Sequence, residues 1–418
     1  MLEGISPAEA LRIVLAEAPV LPPETVAAGE ALGRVLAEPI VSGRRLPPDD
    51  NSAMDGYAVR AADTAGASPA RPVELEVAFE VAAGARPEKP LEPGRAARIF
   101  TGAALPNGAD AVVRQEDAER DGHRLRLRAP AVPRENVRDA GEDVELGERV
   151  LGPGTPLRAA HLGLLASLGR TAVAVRQRAR VAILSGGDEL VEPGADATGG
   201  RIVASNSYSI AAQCRELGAE PAYLGIARDS REDVEAHLRA GLAADVLVSS
   251  AGVSVGDRDY VRPALEALGF RLLFWGVNMK PGYPLVFGRL GAAGRPLVFG
   301  LPGNPVSAMV TFEQFVRPCL LRMMGHSALF RPRVRARLTE PLAKPAGRLH
   351  FVRVSLERRG GEIAARPTGN QSSGVLRSMV AAHGLLVFPA EATELRAGAW
   401  AEVQVLDPGF LAADDPGL

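Results

Sequence analysis

The run from Asp245 to Tyr260, DVLVSSAGVSVGDRDY, constrains the fold of this chain more than any other segment. An apolar stretch of strand length that breaks into serine and glycine and then into carboxylates is a buried strand delivering a polar loop at its C-terminal end. Two more loops with chemistry in them follow closely, MKPGYP at 279–284 and GLPGNPVS at 300–307. Apolar strands that end repeatedly in such loops build the ligand crevice of an α/β sheet.

The flanking sequence supports that reading. Between about 179 and 327, strand-like and helix-like segments alternate: Val181 to Leu184, a helix bearing Ile210, Cys214 and Leu217 that Asn206 would cap and Gly218 would end, and a helix opened by the capping box at Ser230 and Asp233. The strand Val246 to Val248 follows, then Pro296 to Gly300, which leads through PGNP into a helix from about Val306 to Met323. Alternation of this kind predicts a three-layer α/β/α domain with a mostly parallel sheet.

At 418 residues the chain exceeds what one core supports, so further domains are expected. Ser6, Pro7 and Glu9 mark an N-terminal helix start, with Leu11, Val14 and Leu15 on one face. Residues 27–41 read as a helix-containing connector and 46–52 as a rigid polar loop. Short β-rich runs divided by Gly/Pro turns, namely Val73 to Phe79, Ala109 to Val113 and Arg124 to Leu127, define a β-rich insertion domain at 51–140. It interrupts a discontinuous mixed N-terminal domain made of 1–50 and 141–178. From 328 to 418 the pattern returns to short strands (Val334 to Leu338, Phe351 to Leu356, Leu385 to Phe388, Trp400 to Leu406), the signature of a C-terminal β-barrel-like domain.

Composition narrows the function. With 46% hydrophobic and 23% charged residues the chain is globular, and a net charge of -2 provides no global field for nucleic acid or an acidic membrane. Any anion must therefore be held by local cations and backbone N–H groups. The first residues lack a basic or apolar leader pattern, and no apolar run reaches membrane-spanning length, so a cytoplasmic location is expected. Cys214 and Cys319 fall on apolar helix registers and read as buried thiols, not as a disulfide or metal site. The six histidines have no metal-ligand spacing; His237, His350 and His383 read as solvated or capping groups.

Three acidic loops end strands of the α/β region: SGGDE at 185–189, ARD at 227–229 and GDRD at 256–259. Carboxylates brought together at the C-terminal ends of neighbouring parallel strands suit Mg²⁺ bridging a phosphate. Gly252, Ser254 and Gly256 would allow close backbone approach to that phosphate. Lys280, followed by Pro281 and Gly282, is an ammonium fixed at a turn, and Ser307 adds a hydroxyl beside free N–H groups in the first turn of a Pro-started helix. Together they make an oxyanion pocket. Asp55 by itself reads equally well as a turn organiser.

Taken with NSAMDGYA at 51–58, TGA at 101–103 and GED at 141–143, these segments resemble, in order and over nearly the whole chain, the molybdopterin molybdenumtransferase family, which includes the E domain of gephyrin-like proteins. The resemblance implies insertion of molybdate, as substrate, into adenylylated molybdopterin with release of AMP. It implies Mg²⁺ as cofactor, held by Glu189, Asp229 and Asp259, with Asp257 a weaker candidate. It also implies roles for Asp55, Thr101 and Asp143, and an oxyanion site of Lys280, Ser307, Arg353 and Ser373, with Arg348 and Ser372 as alternates. A homodimer whose sites draw on both chains is implied, as is transient contact with a separate molybdopterin adenylyltransferase. Where the family pattern has a second lysine this chain has Tyr283, and a basic position after Trp275 is Gly276, which leaves tungstate open as the oxyanion. Two other readings stand beside this one, an ATP-dependent adenylyltransferase and a catalytically idle scaffold.

Overall fold

The computed structural model describes residues 2–250, 260–291 and 295–412. Its centre is a seven-stranded sheet whose strands run, edge to edge, Leu2–Ile5, Arg271–Val277, Val286–Arg289, Leu297–Gly300, Val246–Ser249, Arg180–Gly186 and Glu220–Ala227. Four of the six pairings are parallel; the two made by Val286–Arg289 are antiparallel. The expected parallel core is therefore present, joined to an antiparallel hairpin at one side. Leu2–Ile5, too short to read as a strand, adds the edge beyond that hairpin.

Burial explains why these segments are strands. All four residues of Val246–Ser249 and of Leu297–Gly300 are buried, as befits a sheet covered on both faces. Phe274, Phe287 and Phe299 stack across adjacent strands with ring centroids 5.6 and 4.7 Å apart, so truncating one to alanine would cost about 3–5 kcal/mol.

The helices are set by their ends. Pro7–Glu17 is capped by Ser6, whose hydroxyl accepts from Glu9 N at 3.2 Å. Ser230 caps Arg231–Ala240 the same way, but the Asp233 carboxylate reaches Arg228 N at 2.6 Å and does not close the box on Ser230. The helix Ser205–Glu216 begins after Ala204, so Asn206 lies inside its first turn; its amide instead donates to Gly303 O at 2.7 Å, tying this helix to the PGNP loop. The long helix after that loop is broken in a particular way. Pro305–Thr311 is α-helical, Phe312–Val316 widens into a π-helical segment, and Arg317–Met323 is α-helical again. Pro318 lacks an N–H and would press on the carbonyl four residues earlier, which the wider turn relieves. Cys214 and Cys319 are both buried on these helices, and burial pushes each thiol up to about 12.

The β-rich region carries a six-stranded sheet, with Gly56–Val59 between Ala111–Arg114 and Arg95–Ile99, and Val73–Val81, Arg124–Leu127 and Ala118–Asp121 beyond. A separate core of Leu36, Ile40, Val144, Leu157, Leu165 and Val175 joins segments on either side of it. At the C-terminal end, Leu349–Arg359 pairs with both Glu362–Pro367 and Gly384–Phe388; Arg333–Leu338 and Trp400–Val405 complete the ring, closing a five-stranded barrel. No helix of the described residues is long and apolar enough to cross a membrane.

Candidate active site

The barrel is stitched to the α/β sheet by two residues. Met279–Lys280 adds to the barrel strand in parallel register, Met279 opposite Leu349 and Lys280 opposite His350. Gly282 then turns at φ +106°, and a Cβ there would meet the Thr311 side chain at 2.5 Å and approach Ser307 O. Only glycine lets the turn lie on the helix that carries Ser307. From the other side, the loop at 369–376 reaches the same helix: Val306 N donates to Ser373 O at 3.0 Å. One N–H expected to be free beside Ser307 is thus taken.

Arg353 fixes that loop. It is 1% exposed, where strand spacing left a surface position open. Its Nε donates to Ser378 Oγ at 3.1 Å, and Nη2 donates to Ser372 O at 3.0 Å and Asn370 O at 3.4 Å. No carboxylate of the described residues lies within ion-pair distance, and burial alone pushes the guanidinium down to about 10, still charged at neutral pH. The structure therefore brings Lys280, Pro281, Gly282, Ser307, Arg353 and Ser373 into one neighbourhood.

Between the Lys280 turn and the barrel lies a cavity of about 180 Å³ whose polar lining is Lys280, Lys344, His350, Arg353 and Gln371. No carboxylate of the described residues lines it. Uncompensated buried positive charge is costly, and a bound anion relieves that cost. His350, read from sequence as solvated or capping, stands in this wall; burial, and then Lys344, Lys280 and Arg348, push it down to about 4, so it is neutral at pH 7. Lys344, in a loop before the long barrel strand, carried no sequence signal. The motif departure also has a structural partner. Tyr283 lies over Gly276, meets Trp275 edge-on at 5.7 Å, and carries the Arg348 guanidinium 4.5 Å above its ring.

The acidic loops form a second group. Asp229 N donates to Asp188 Oδ1 at 3.2 Å and Asp188 N to Asp229 Oδ2 at 3.5 Å, so these two strand-exit loops clasp each other. Glu189 folds back over Gly187, where a Cβ would meet its carboxylate at 2.6 Å. Asp188, passed over in the sequence, is a member of this cluster. Asp257, Asp259, Gly252, Ser254 and Gly256 lie outside the described residues, and among the described residues no group of three or more metal-ligating side chains forms a metal site.

A third group sits on the connections into the β-rich region. Asp55 Oδ1 accepts from both Thr101 N and Thr101 Oγ1 at 2.8 Å, which holds this exposed carboxyl below its usual range. Asp143 is exposed, and its backbone donates to Leu46 O at 3.0 Å, where the chain entering the β-rich region meets the chain leaving it. Among the described residues no hydrogen bond links Asp55, Thr101 or Asp143 to the Lys280 group.

With this geometry in place, comparison with known proteins is decisive. Residues 5–169 match the MoeA N-terminal region (domain I and II), 182–322 a probable molybdopterin binding domain, and 335–406 the MoeA C-terminal region (domain IV). The chain is 40% identical over 391 residues to molybdopterin molybdenumtransferase 2 of Mycobacterium tuberculosis, covering 92% of this chain and 95% of that one. The chain belongs to the molybdopterin molybdenumtransferase family. It is 38% identical to the molybdopterin molybdenumtransferase of a Nostoc species over 88% of its own length and 85% of that protein. The crystal structure of a molybdopterin biosynthesis MoeA protein from Pyrococcus horikoshii superposes with a TM-score of 0.83 at 34% identity, covering 96% of this chain and 99% of that one. Family membership makes the chain an enzyme, a transferase of molybdenum cofactor biosynthesis.

Proposed function

We propose that the chain inserts molybdenum from molybdate into adenylylated molybdopterin, with release of AMP, in a Mg²⁺-dependent reaction. The observation that carries this reading is the cationic cavity between the Lys280 turn and the barrel, which no carboxylate of the described residues lines, beside the turn and loop that pack on the Ser307 helix. Lys280 and Arg353 hold the oxyanion electrostatically, and the hydroxyls donate to its oxygens, while the two dithiolene sulfurs of the pterin bind molybdenum and displace an oxo group, which leaves as water with the two thiol protons. No protein thiol takes part, in keeping with two buried, protonated cysteines.

Asp188, Asp229 and Glu189 are exposed oxygen donors, the kind a hard divalent cation takes, but by themselves they form no metal site; with Asp259 they would hold Mg²⁺. When bound, the ion supplies charge neutralisation at the phosphoanhydride. Asp55, Thr101 and Asp143 stand apart from Lys280 in hydrogen bonding, which supports a homodimer in which they serve the partner's site. Mixing inactive Asp55→Ala and Lys280→Ala subunits restores partial activity in that case; verified heterodimers that stay inactive overturn it.

The direct test supplies adenylylated molybdopterin, molybdate and Mg²⁺ and measures AMP and transferable molybdenum cofactor together. Formation of both supports the proposal. AMP transfer from ATP to metal-free molybdopterin, with no cofactor formed, would instead identify an adenylyltransferase, and neither activity would identify a scaffold.

A further inference from the structure

We infer that Lys344 is a third cation of the oxyanion cavity, and the residue that makes the cavity favour a doubly charged tetrahedral anion over a singly charged one of the same shape. This deepens the reading of the cavity as the oxyanion site and rests on it.

The three cations differ in how much field they can bring to an anion. Lys280 is exposed, so water and salt screen its ammonium. Arg353 is buried, but its charge is spread over a guanidinium whose Nε and Nη2 hold the loop at 370–378. Lys344 is a compact point charge that is only 8% exposed. Its Nζ donates to Ala390 O at 3.0 Å and to Pro345 O at 3.4 Å and sits 4.9 Å over the Phe388 ring. An ammonium has three N–H donors, so one is left without a protein acceptor among the described residues. The backbone around it is rigid: Lys344 N donates to Thr393 O at 2.9 Å, and Leu342–Ala343 pairs with Glu394–Leu395 just before it.

The same field reaches His350. After burial, Lys344 is the largest influence on His350, ahead of Lys280 and Arg348. Burial also holds Lys344 below its ordinary pKa, with an opposing pull from Glu391 too distant to form an ion pair. Coulomb energy at fixed geometry scales with the charge of the anion. A buried, weakly screened ammonium therefore contributes about twice the energy to a dianion that it contributes to a monoanion.

The test measures molybdate and perrhenate affinity by calorimetry on the full chain, since the two anions share a shape and differ in charge. K344Q keeps an amide donor for the Ala390 and Pro345 carbonyls and removes only the charge. Loss of one charge–charge contact should weaken molybdate about tenfold and perrhenate about threefold, the square root of that factor. K344R, which restores the charge, should recover most of the molybdate affinity. Molybdate binding by K344Q within twofold of the unmodified chain overturns the inference, and so does an equal loss for both anions. Should K344Q not fold, K344R decides: its molybdate-to-perrhenate ratio stays near that of the unmodified chain, and a fall of more than about threefold would show that charge is not what selects. K280Q separates the two levels of the argument. If K280Q weakens molybdate and K344Q does not, only the role of Lys344 fails; if the well-folded unmodified chain binds no molybdate, the reading of the cavity fails with it.

Discussion

The cationic cavity and the acidic strand-exit loops lie in the same chain and are built on opposite terms. The cavity's charges are largely buried and lack carboxylate partners: Arg353 is 1% and Lys344 8% exposed, and no acid of the described residues lines the space. The acids at 188, 189 and 229 are exposed and rest on backbone N–H groups or on a glycine. Burial has already desolvated Arg353 and Lys344, so their charges are weakly screened, whereas Lys280 stays in water. The exposed acids stay hydrated. Under the proposed function, the comparison teaches that folding preorganises the cationic side, whereas a bound cation would organise the acidic side.

Four variants break or sharpen this contrast. The largest effect belongs to Arg353→Met, which leaves Ser378 Oγ and the Ser372 and Asn370 carbonyls without their donor. It should cost about 2–4 kcal/mol of stability and weaken molybdate binding at least a hundredfold. Chemical denaturation and calorimetry measure the two separately, and unchanged stability would contradict the idea that the cavity is made by folding.

Asp229→Asn keeps the exposed loop and removes one oxygen charge. Its stability should move by less than about 0.5 kcal/mol while the Mg²⁺ needed for half-maximal AMP release rises about tenfold. A shift in stability without a shift in Mg²⁺ dependence would place Asp229 on the structural side of the comparison.

His350 provides the pH test. Its folded pKa, about 4, is depressed below the ordinary value of 6.5, first by burial and then by Lys344, Lys280 and Arg348. Between those values the unfolded chain takes up a proton that the folded chain refuses, so stability falls as pH drops from 6.5 towards 4. The expected loss, discounted for partial exposure, is about 1–2 kcal/mol, and His350→Gln flattens the slope. Saturating molybdate should flatten it too by adding negative charge beside the ring. A slope indifferent to molybdate would mean that the anion binds elsewhere.

The smallest effect is at Tyr283. A lysine there would sit beside Arg348, whose guanidinium now lies 4.5 Å over the ring. Gain of one cation and repulsion of another nearly offset, so Tyr283→Lys should change molybdate affinity by less than about threefold. A tenfold gain would show that Arg348 does not stand in for the missing lysine.

Much of this architecture was legible in the residue pattern, because local rules governed it. Ser6 and Ser230 cap the helices they were expected to cap, Gly218 follows the end of its helix, and apolar runs such as Val246–Ser249 are buried strands. What escaped is what long-range contacts decide. Asn206 looked like a cap because of its type, yet its amide is drawn to Gly303 across 97 residues. The widening at Phe312–Val316 answers a proline two residues past its end. Alternation along Leu349–Arg359 could not tell whether Arg353 faced water or the interior, since the loop that receives it comes from another segment. Lys344 offered nothing, because a lysine before a proline in a polar loop is ordinary until the barrel closes around it.

The two-residue register that sets Lys280 opposite His350 also has a consequence for assembly. The barrel and its loops line most of the cavity, and the Lys280–Pro281 turn that leads out of the α/β sheet closes one side, so an anion held there would touch both. A ligand that touches both would act as a latch, adding RT ln(1 + [L]/Kd) to the free energy that keeps the turn docked on the barrel. Under the proposed function, the concentration of molybdate would then be a mechanical variable for this chain, its supply tightening the joint between the turn and the barrel.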